Sequence, residues 1–275
     1  MLDLSKQTQP VIQILCDFIH NEITSRGFQR AVLGLSGGLD SALSCFLATR
    51  ALGAENVLAV RMPYRTSSPD SLEDAQKVVE ATGVQSLTIP ITEMAEPLIE
   101  RFPEMGDLRR GNILARLRMV ALFDQSAAFN GLVIGSGNKS EILLGYSTLF
   151  GDSAYALNPL GDLYKTQVRQ LAKELGVPAS ILSKAPSADL WQGQTDENEM
   201  GFTYEEVDRL LYLLVEEGFT PQQCVAEGFS SAFVQKVVKR VQRNQFKWTV
   251  PPICKVNRVT IGYEDLDPAR WGEFS

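Results

Sequence analysis

The stretch Arg30–Ser41, RAVLGLSGGLDS, changes character halfway along. Ala31–Leu35 is a short apolar run of the kind that forms a strand buried on both faces. Ser36-Gly37-Gly38-Leu39-Asp40-Ser41 reads as a turn, and ALSCFLATRAL after it places apolar residues at helical spacing. Strand, glycine turn and helix in that order make an anion-binding unit. Glycines let backbone N–H groups approach a phosphate closely, and the helix N-terminus adds favourable partial charge. The Lys and the G-x-x-x-x-G-K spacing of a Walker-type loop are absent, so this cradle is of another kind.

Outward from that stretch the chain alternates. Pro10–Arg26 is an amphipathic helix, with Ile12, Leu15, Ile19 and Ile23 three or four apart. Asn56–Arg61 reads as a second strand and Val84–Ile89 as a third, separated by a helix that Ser68 caps, Pro69 opens and Gly83 stops. Residues 91–102 form a helix interrupted by Pro97. Asp107–Asn130 is a long helix, and Leu132–Gly135 is a fourth strand. Strands separated by helices predict an α/β fold, a doubly wound, mostly parallel sheet with helices on both faces. Ligands then bind at the carboxyl ends of the strands, where the turns at Ser36 and Ser136 both lie. After Gly151 the pattern becomes helical: Leu163–Leu175, Thr203–Glu217, Pro221–Glu227 and Ser230–Arg243, with Ala185–Gly201 a polar loop and Thr249–Cys254 extended. Residues 1–275 read as one domain with a helical C-terminal part.

The bulk numbers narrow the function. A net charge of −7 over 275 residues argues against extended nucleic-acid contact, which needs a basic face. No apolar run approaches membrane-spanning length, and MLDLSKQTQPVIQIL has no signal-type apolar block. Cys16, Cys45, Cys224 and Cys254 are widely spaced, without metal-type clustering, which fits a cytoplasmic setting. Cys45 is expected in the core and His20, the only histidine, on a helix surface.

Gly135-Ser136-Gly137-Asn138-Lys139-Ser140-Glu141 follows the fourth strand as Ser36–Asp40 follows the first. Glu141, at the start of a helix, can share a metal with Asp40, since two carboxylates plus phosphate oxygens are a common magnesium environment. S-G-G-x-D-S resembles the pyrophosphate loop of the ATP pyrophosphatases (adenine nucleotide alpha-hydrolase-like folds), enzymes that split ATP into AMP and pyrophosphate. GNKSEILLGY, LFGD, NPLGDLYKTQVRQLAKELGVP and KAPSADLWQGQTDE, together with NILARLRM, resemble one branch of that group, the NAD synthetases. The likeness runs from about Pro10 to Lys255, with the motifs in family order.

The resemblance implies a ligase that joins ammonia to the nicotinate carboxylate of deamido-NAD through an acyl-adenylate, releasing AMP and pyrophosphate. By the same resemblance Gly34, Ser36, Gly37, Gly38, Leu39, Asp40 and Ser41 hold ATP, with Arg61, Ser136, Lys165 and Ser187 as further contacts. Asp40 and Glu141 match the magnesium ligands. Asn112, Arg116 and Lys247 match groups that bind deamido-NAD, and Asp152 matches the carboxylate that takes a proton from ammonium. Lys165 and Ser187 are, with Asp152, the catalytic candidates. The family also implies a homodimer, for which Asp107–Asn130 is the candidate interface.

One segment departs from the pattern. Where many ammonia-using members have FTKYGDGGxD, this chain has STLFGDSAYAL, with Leu149 in the Lys place and Ala156 in the Asp place. Ammonia used directly is the first reading of the nitrogen source. A synthetase subunit fed by a separate glutaminase, and adenylation of another small carboxylate, are the alternatives.

Overall fold

A computed structural model describes residues 2–187, 193–249 and 251–256. In chain order the elements are α1 (Thr8–Thr24), β1 (Arg30–Gly34), α2 (Leu39–Leu52), β2 (Val57–Arg61), α3 (Pro69–Thr82), β3 (Gln85–Thr88), α4 (Thr92–Ile99), α5 (Asp107–Phe129), β4 (Gly131–Ile134) and α6 (Lys139–Leu144). There follow α7 (Lys165–Glu174), α8 (Ala179–Ser183), α9 (Asp196–Met200), α10 (Tyr204–Val215), α11 (Pro221–Ala226) and α12 (Ser231–Asn244). No described helix is long and apolar enough to cross a membrane.

The four strands pair in parallel in the order β3-β2-β1-β4, with Ala31 opposite Val57 and Leu33 opposite Ile134. The sequence progression therefore reverses between β1 and β4, and a crevice opens beyond their carboxyl ends. A further parallel bridge, Ile134 to Leu157, extends the sheet past β4. Alternate residues of each strand face opposite layers. Ala31, Leu33, Val57 and Ala59 join the main core, with Ile12 and Ile19 of α1, Leu43 and Leu47 of α2, Val78 of α3 and Val168 and Leu171 of α7. Val32, Leu58 and Val60 face the other way, onto Leu122 and Phe129 of α5. Both faces are thus covered, as the uninterrupted apolar strands predict. A second core, built on Leu144, Tyr204, Val207, Leu211, Val234 and Val237, joins the C-terminal helices to α6.

Several expected boundaries move. The third strand keeps only Gln85–Thr88, four exposed residues at the sheet edge, where a short polar strand resists pairing with another chain. The helix after the first turn starts at Leu39, inside the stretch read as turn, and Glu141 is the third residue of its helix rather than the first. The polar stretch Ala185–Gly201 is not wholly a loop. Its end forms α9, because Thr195 Oγ1 accepts from the Asn198 N–H at 3.3 Å, Asp196, Glu197 and Glu199 favour a helix N-terminus, and Gly201 at φ +74° stops it. Residues 188–192, within KAPSADLWQGQTDE, lie outside the described residues. Cys45 is buried, its thiol pushed up to about 11 by that burial, and His20 is exposed, as expected.

Candidate active site

The first turn is held by its own hydroxyls. Ser36 Oγ and Ser41 Oγ lie 3.0 Å apart, Ser36 Oγ accepts from the Gly38 N–H at 3.2 Å, and Ser41 Oγ donates to the Gly38 carbonyl at 3.1 Å. Gly37 takes φ +79°, and a Cβ there would stand 2.1 Å from the Ser71 carbonyl oxygen near the start of α3. Only glycine fits both the backbone and the space. Gly34 is small for a different reason: a Cβ would press on Met62 Cε at 3.2 Å and Leu122 Cδ1 at 3.4 Å, so this position serves the packing of α5 beneath the turn.

Three predicted residues from three elements meet beside that turn. Lys165 Nζ, on the first residue of α7, donates to Asp40 Oδ2 and, at 3.0 Å, to Glu141 Oε1. Asp40 sits in the first turn of α2 and Glu141 in the first turn of α6, so the crevice between β1 and β4 brings the two carboxylates onto one ammonium. Lys165 is 4 % exposed, which makes this a buried ion cluster and not a surface pair. Its ammonium is held strongly protonated: burial opposes the charge, and Asp40 and Glu141 outweigh it. Burial, and to a lesser extent the Asp40 charge, pushes the Glu141 carboxyl up, while the Lys165 ammonium pulls it back down.

Two residues outside the sequence expectation frame the cluster. Asn138 is fully buried; its side-chain N–H donates to Asp40 Oδ1 at 2.8 Å, and its oxygen accepts from the Glu141 N–H at 3.0 Å. Glu141 Oε2 returns a contact to the Asn138 N–H at 3.4 Å, completing a capping box. Asp208 of α10, also fully buried, accepts from Ser140 Oγ and from the Thr166 N–H at 2.9 Å, while Ser140 Oγ accepts from the Lys165 N–H at 2.9 Å. One carboxylate thus ties together the N-termini of α6 and α7 and aims Lys165. Asn138-x-x-Glu141 is a readable capping signal, and Asp208 is a charge on the apolar stripe of α10.

A second group surrounds the segment 144–152. Asn112 Oδ1 of α5 accepts from Thr148 Oγ1 at 2.8 Å, and Arg116 donates to the Leu149 carbonyl at 3.2 and 3.3 Å. Asp152 Oδ1 accepts from the Thr148 N–H at 2.7 Å. The residue keeps an exposed edge, yet the protein packed around its carboxyl pushes that group above the usual range, against the pull of backbone N–H groups and Lys247. Lys247 donates to the Gly145 and Ser147 carbonyls at 2.7 Å each, so it braces the backbone of this segment. Asn112 and Arg116 also line a groove of about 370 Å³ with Leu98, Leu108, Arg109 and Ile113.

The remaining candidates sit on other segments. Arg61 donates through Nη1 to Gln76 at 2.8 Å and buries Nε without a hydrogen-bond partner among the described residues. Ser136 lies in the turn after β4. Ser187 donates to the Gln194 carbonyl at 2.7 Å. Among the described residues no three His, Cys, Asp or Glu side chains group to hold a metal. Asp40 and Glu141 form a pair, so further ligands for a cation would come from a bound phosphate or water.

A parallel sheet with a glycine turn at its switch point, and acidic residues on the two helices that start there, defines an ATP-pyrophosphatase-type nucleotide enzyme. Residues 11–251 match the model of the NAD synthase family, and the chain belongs to that family of ligases. A relative from Trichlorobacter lovleyi, named an NH(3)-dependent NAD(+) synthetase, is 51 % identical over 273 residues, covering 99 % of this chain and 100 % of its own. The NH3-dependent NAD synthetase structure from Campylobacter jejuni superposes with a TM-score of 0.77 at 34 % identity, covering 90 % of this chain and 100 % of that one. The structure named NMN synthetase from Francisella tularensis gives 0.81 at 33 %, covering 90 % and 98 %.

Proposed function

We propose that this ligase amidates deamido-NAD with ammonia, spending ATP to AMP and pyrophosphate. The observation that carries the reading is the Lys165 ammonium held between Asp40 and Glu141 at the sheet's switch point. A site that already binds a cation between two carboxylates, beside a phosphate-sized glycine turn, fits a magnesium–ATP complex. Magnesium, held by Asp40 and Glu141, would supply Lewis-acid neutralisation of the triphosphate.

The chain's own groups do the rest. The turn Ser36–Ser41 and the α2 N-terminus direct backbone N–H groups at phosphate, joined by the Ser136 turn, Arg61 and Ser187. Lys165 lends positive charge as the nicotinate carboxylate oxygen attacks the α-phosphorus and pyrophosphate leaves. Asn112, Arg116 and Lys247 border the place for the dinucleotide. Asp152, with its raised carboxyl, accepts a proton from ammonium, and the ammonia so formed attacks the acyl carbon and expels AMP.

Direct use of ammonia is supported by the end-to-end match to the Trichlorobacter lovleyi relative. A separate glutaminase is the alternative source. Leu149 and Ala156, which carry no charge for gripping a dinucleotide, and the likeness to the Francisella tularensis enzyme favour a second reading, in which nicotinate mononucleotide is the acceptor. A homodimer through α5 is part of the proposal. Leu108, Val120 and Phe123 are 69 %, 50 % and 42 % exposed, while Leu114 and Ala121 turn inward. A cytoplasmic location completes it.

Pyrophosphate release measured with no acceptor, with deamido-NAD and with nicotinate mononucleotide, each with ammonium or glutamine, tests the reading. Release and NAD formation with deamido-NAD and ammonium are expected. Equal release without an acceptor, or faster turnover of the mononucleotide, would overturn it.

A further inference from the structure

Asp196, the first residue of α9, is 3 % exposed, and it lies close enough to the Lys165 cluster for its charge to act on Lys165 and Glu141. Its Oδ2 accepts from the Tyr204 hydroxyl at 3.3 Å. Its Oδ1 is buried and accepts no hydrogen bond among the described residues. A buried carboxylate oxygen without a donor is costly and calls for one. The neighbouring Tyr146 hydroxyl lies close enough to Asp196 to pull its carboxyl down, but it donates to Glu199 Oε2 at 2.9 Å, and Gln194 Nε2 reinforces that pair at 3.1 Å. The Tyr204 ring connects Asp196 to the ion cluster. Lys165 Nζ sits 5.2 Å from the ring centroid, and the hydroxyl of the same ring holds Asp196.

The charge balance sharpens the point. Lys165 now neutralises Asp40 and Glu141, the two groups assigned to magnesium. Resting on that assignment, the ammonium must leave them when a divalent cation arrives, and it is too deeply buried to do so without a new counter-ion. We infer that Asp196 is that counter-ion: a positioning residue that receives Lys165 across the face of Tyr204 as Asp40 and Glu141 turn to magnesium. The bare Oδ1 is the acceptor kept for this purpose, and the aromatic face is a path along which a cation stays favourable.

The test is a double-substitution cycle read by calorimetric binding of the magnesium complex of α,β-methylene-ATP, an analogue whose α–β bridge cannot be cleaved. In the native background Asp196→Asn is expected to weaken binding about tenfold, because Lys165 then stays on the metal's carboxylates. In a Lys165→Met background the same substitution is expected to change binding less than about twofold, since there is no ammonium left to receive. An equal loss in both backgrounds would make Asp196 a bare charge or a ligand in its own right, and no loss in the native background would remove its role; either overturns the inference. Asp40→Asn serves as the separate check on the metal assignment: if magnesium still strengthens binding of the analogue there, that assignment fails independently of Asp196. Should Asp196→Asn not fold, a crystal structure of the native protein with the same complex decides. Lys165 Nζ within 4 Å of Asp196 supports the inference, and Nζ still bridging Asp40 and Glu141 refutes it.

Discussion

Gly37→Ala tests the proposed phosphate role of the first turn apart from its contribution to stability. The new Cβ meets two penalties. At φ +79° an L-residue pays on the order of 1–2 kcal/mol for the left-handed conformation. It also arrives 2.1 Å from the Ser71 carbonyl oxygen, where ordinary contact begins at 3.4 Å. That oxygen belongs to the backbone at the start of α3, so no rotamer change relieves the clash, and turn and helix must separate by more than about 1 Å. Displacement of that size in groups that position a reactant costs roughly a hundredfold. Gly27→Ala is the matched control: φ is again +79°, but nothing lies within 4 Å of the added carbon. Thermal melts should fall by several degrees in both variants, at about 2–4 °C per kcal/mol for a chain of this size. Calorimetric titration with magnesium–ATP should show about a hundredfold weaker binding for Gly37→Ala and native affinity for Gly27→Ala. Binding by Gly37→Ala within about threefold of the native protein would refute the assignment of this turn to phosphate, given the displacement the clash imposes.

Asp40→Asn and Glu141→Gln should each slow pyrophosphate release about a hundredfold or more while circular dichroism stays native, because each removes a carboxylate from the proposed magnesium site. Arg116→Ala should raise the KM for deamido-NAD by about tenfold or more through loss of a charged donor, with little change in the KM for ATP; steady-state kinetics in both substrates checks this. Asp74 predicts an acid limb. Burial pushes its carboxyl up, but Ser180, Lys77 and Lys184 outweigh it and hold the group below its ordinary 3.8. A lowered native value means that the folded state releases this proton more readily than the unfolded one. The stabilisation is therefore present above pH 3.8 and lost as pH falls through the native value. Melting temperatures of the native protein should drop more steeply below that pH than those of Asp74→Asn, and parallel curves would contradict the network.

What was legible in the sequence is what is local. Ala31–Leu35 with its glycine turn, the helix opened by Ser68-Pro69 and the stop at Asn130 each carry their own chemistry within a few residues. They were enough to give the parallel sheet and the facing turns at Ser36 and Ser136. Asp40, Glu141 and Lys165 could be nominated one by one, yet their meeting on one ammonium depends on β4 lying beside β1 and on α7 packing back against α2, over 125 residues of chain. Asp208, and the reach of Asn138 to Asp40, escaped for the same reason: those partners lie 42 to 98 residues away. The third strand lost its apolar ends because an edge strand has a neighbour on one side only. α9 was hidden by polarity, since a helix of five residues built from acids and a cap has no apolar period to read. Lys247 could be placed near the dinucleotide by its motif, but the motif does not tell that its ammonium is spent on the carbonyls of Gly145 and Ser147.

The central claim is that the nicotinate carboxylate is activated by adenylation before ammonia displaces AMP. In that sequence a carboxylate oxygen forms the bond to the α-phosphorus, and it leaves with AMP when the acyl carbon takes up ammonia. Deamido-NAD labelled with ¹⁸O in the nicotinate carboxylate, incubated with ATP, magnesium and ammonium, should therefore yield AMP carrying one ¹⁸O and unlabelled pyrophosphate by mass spectrometry. AMP without label, or label found in inorganic phosphate alongside ADP, would contradict the account.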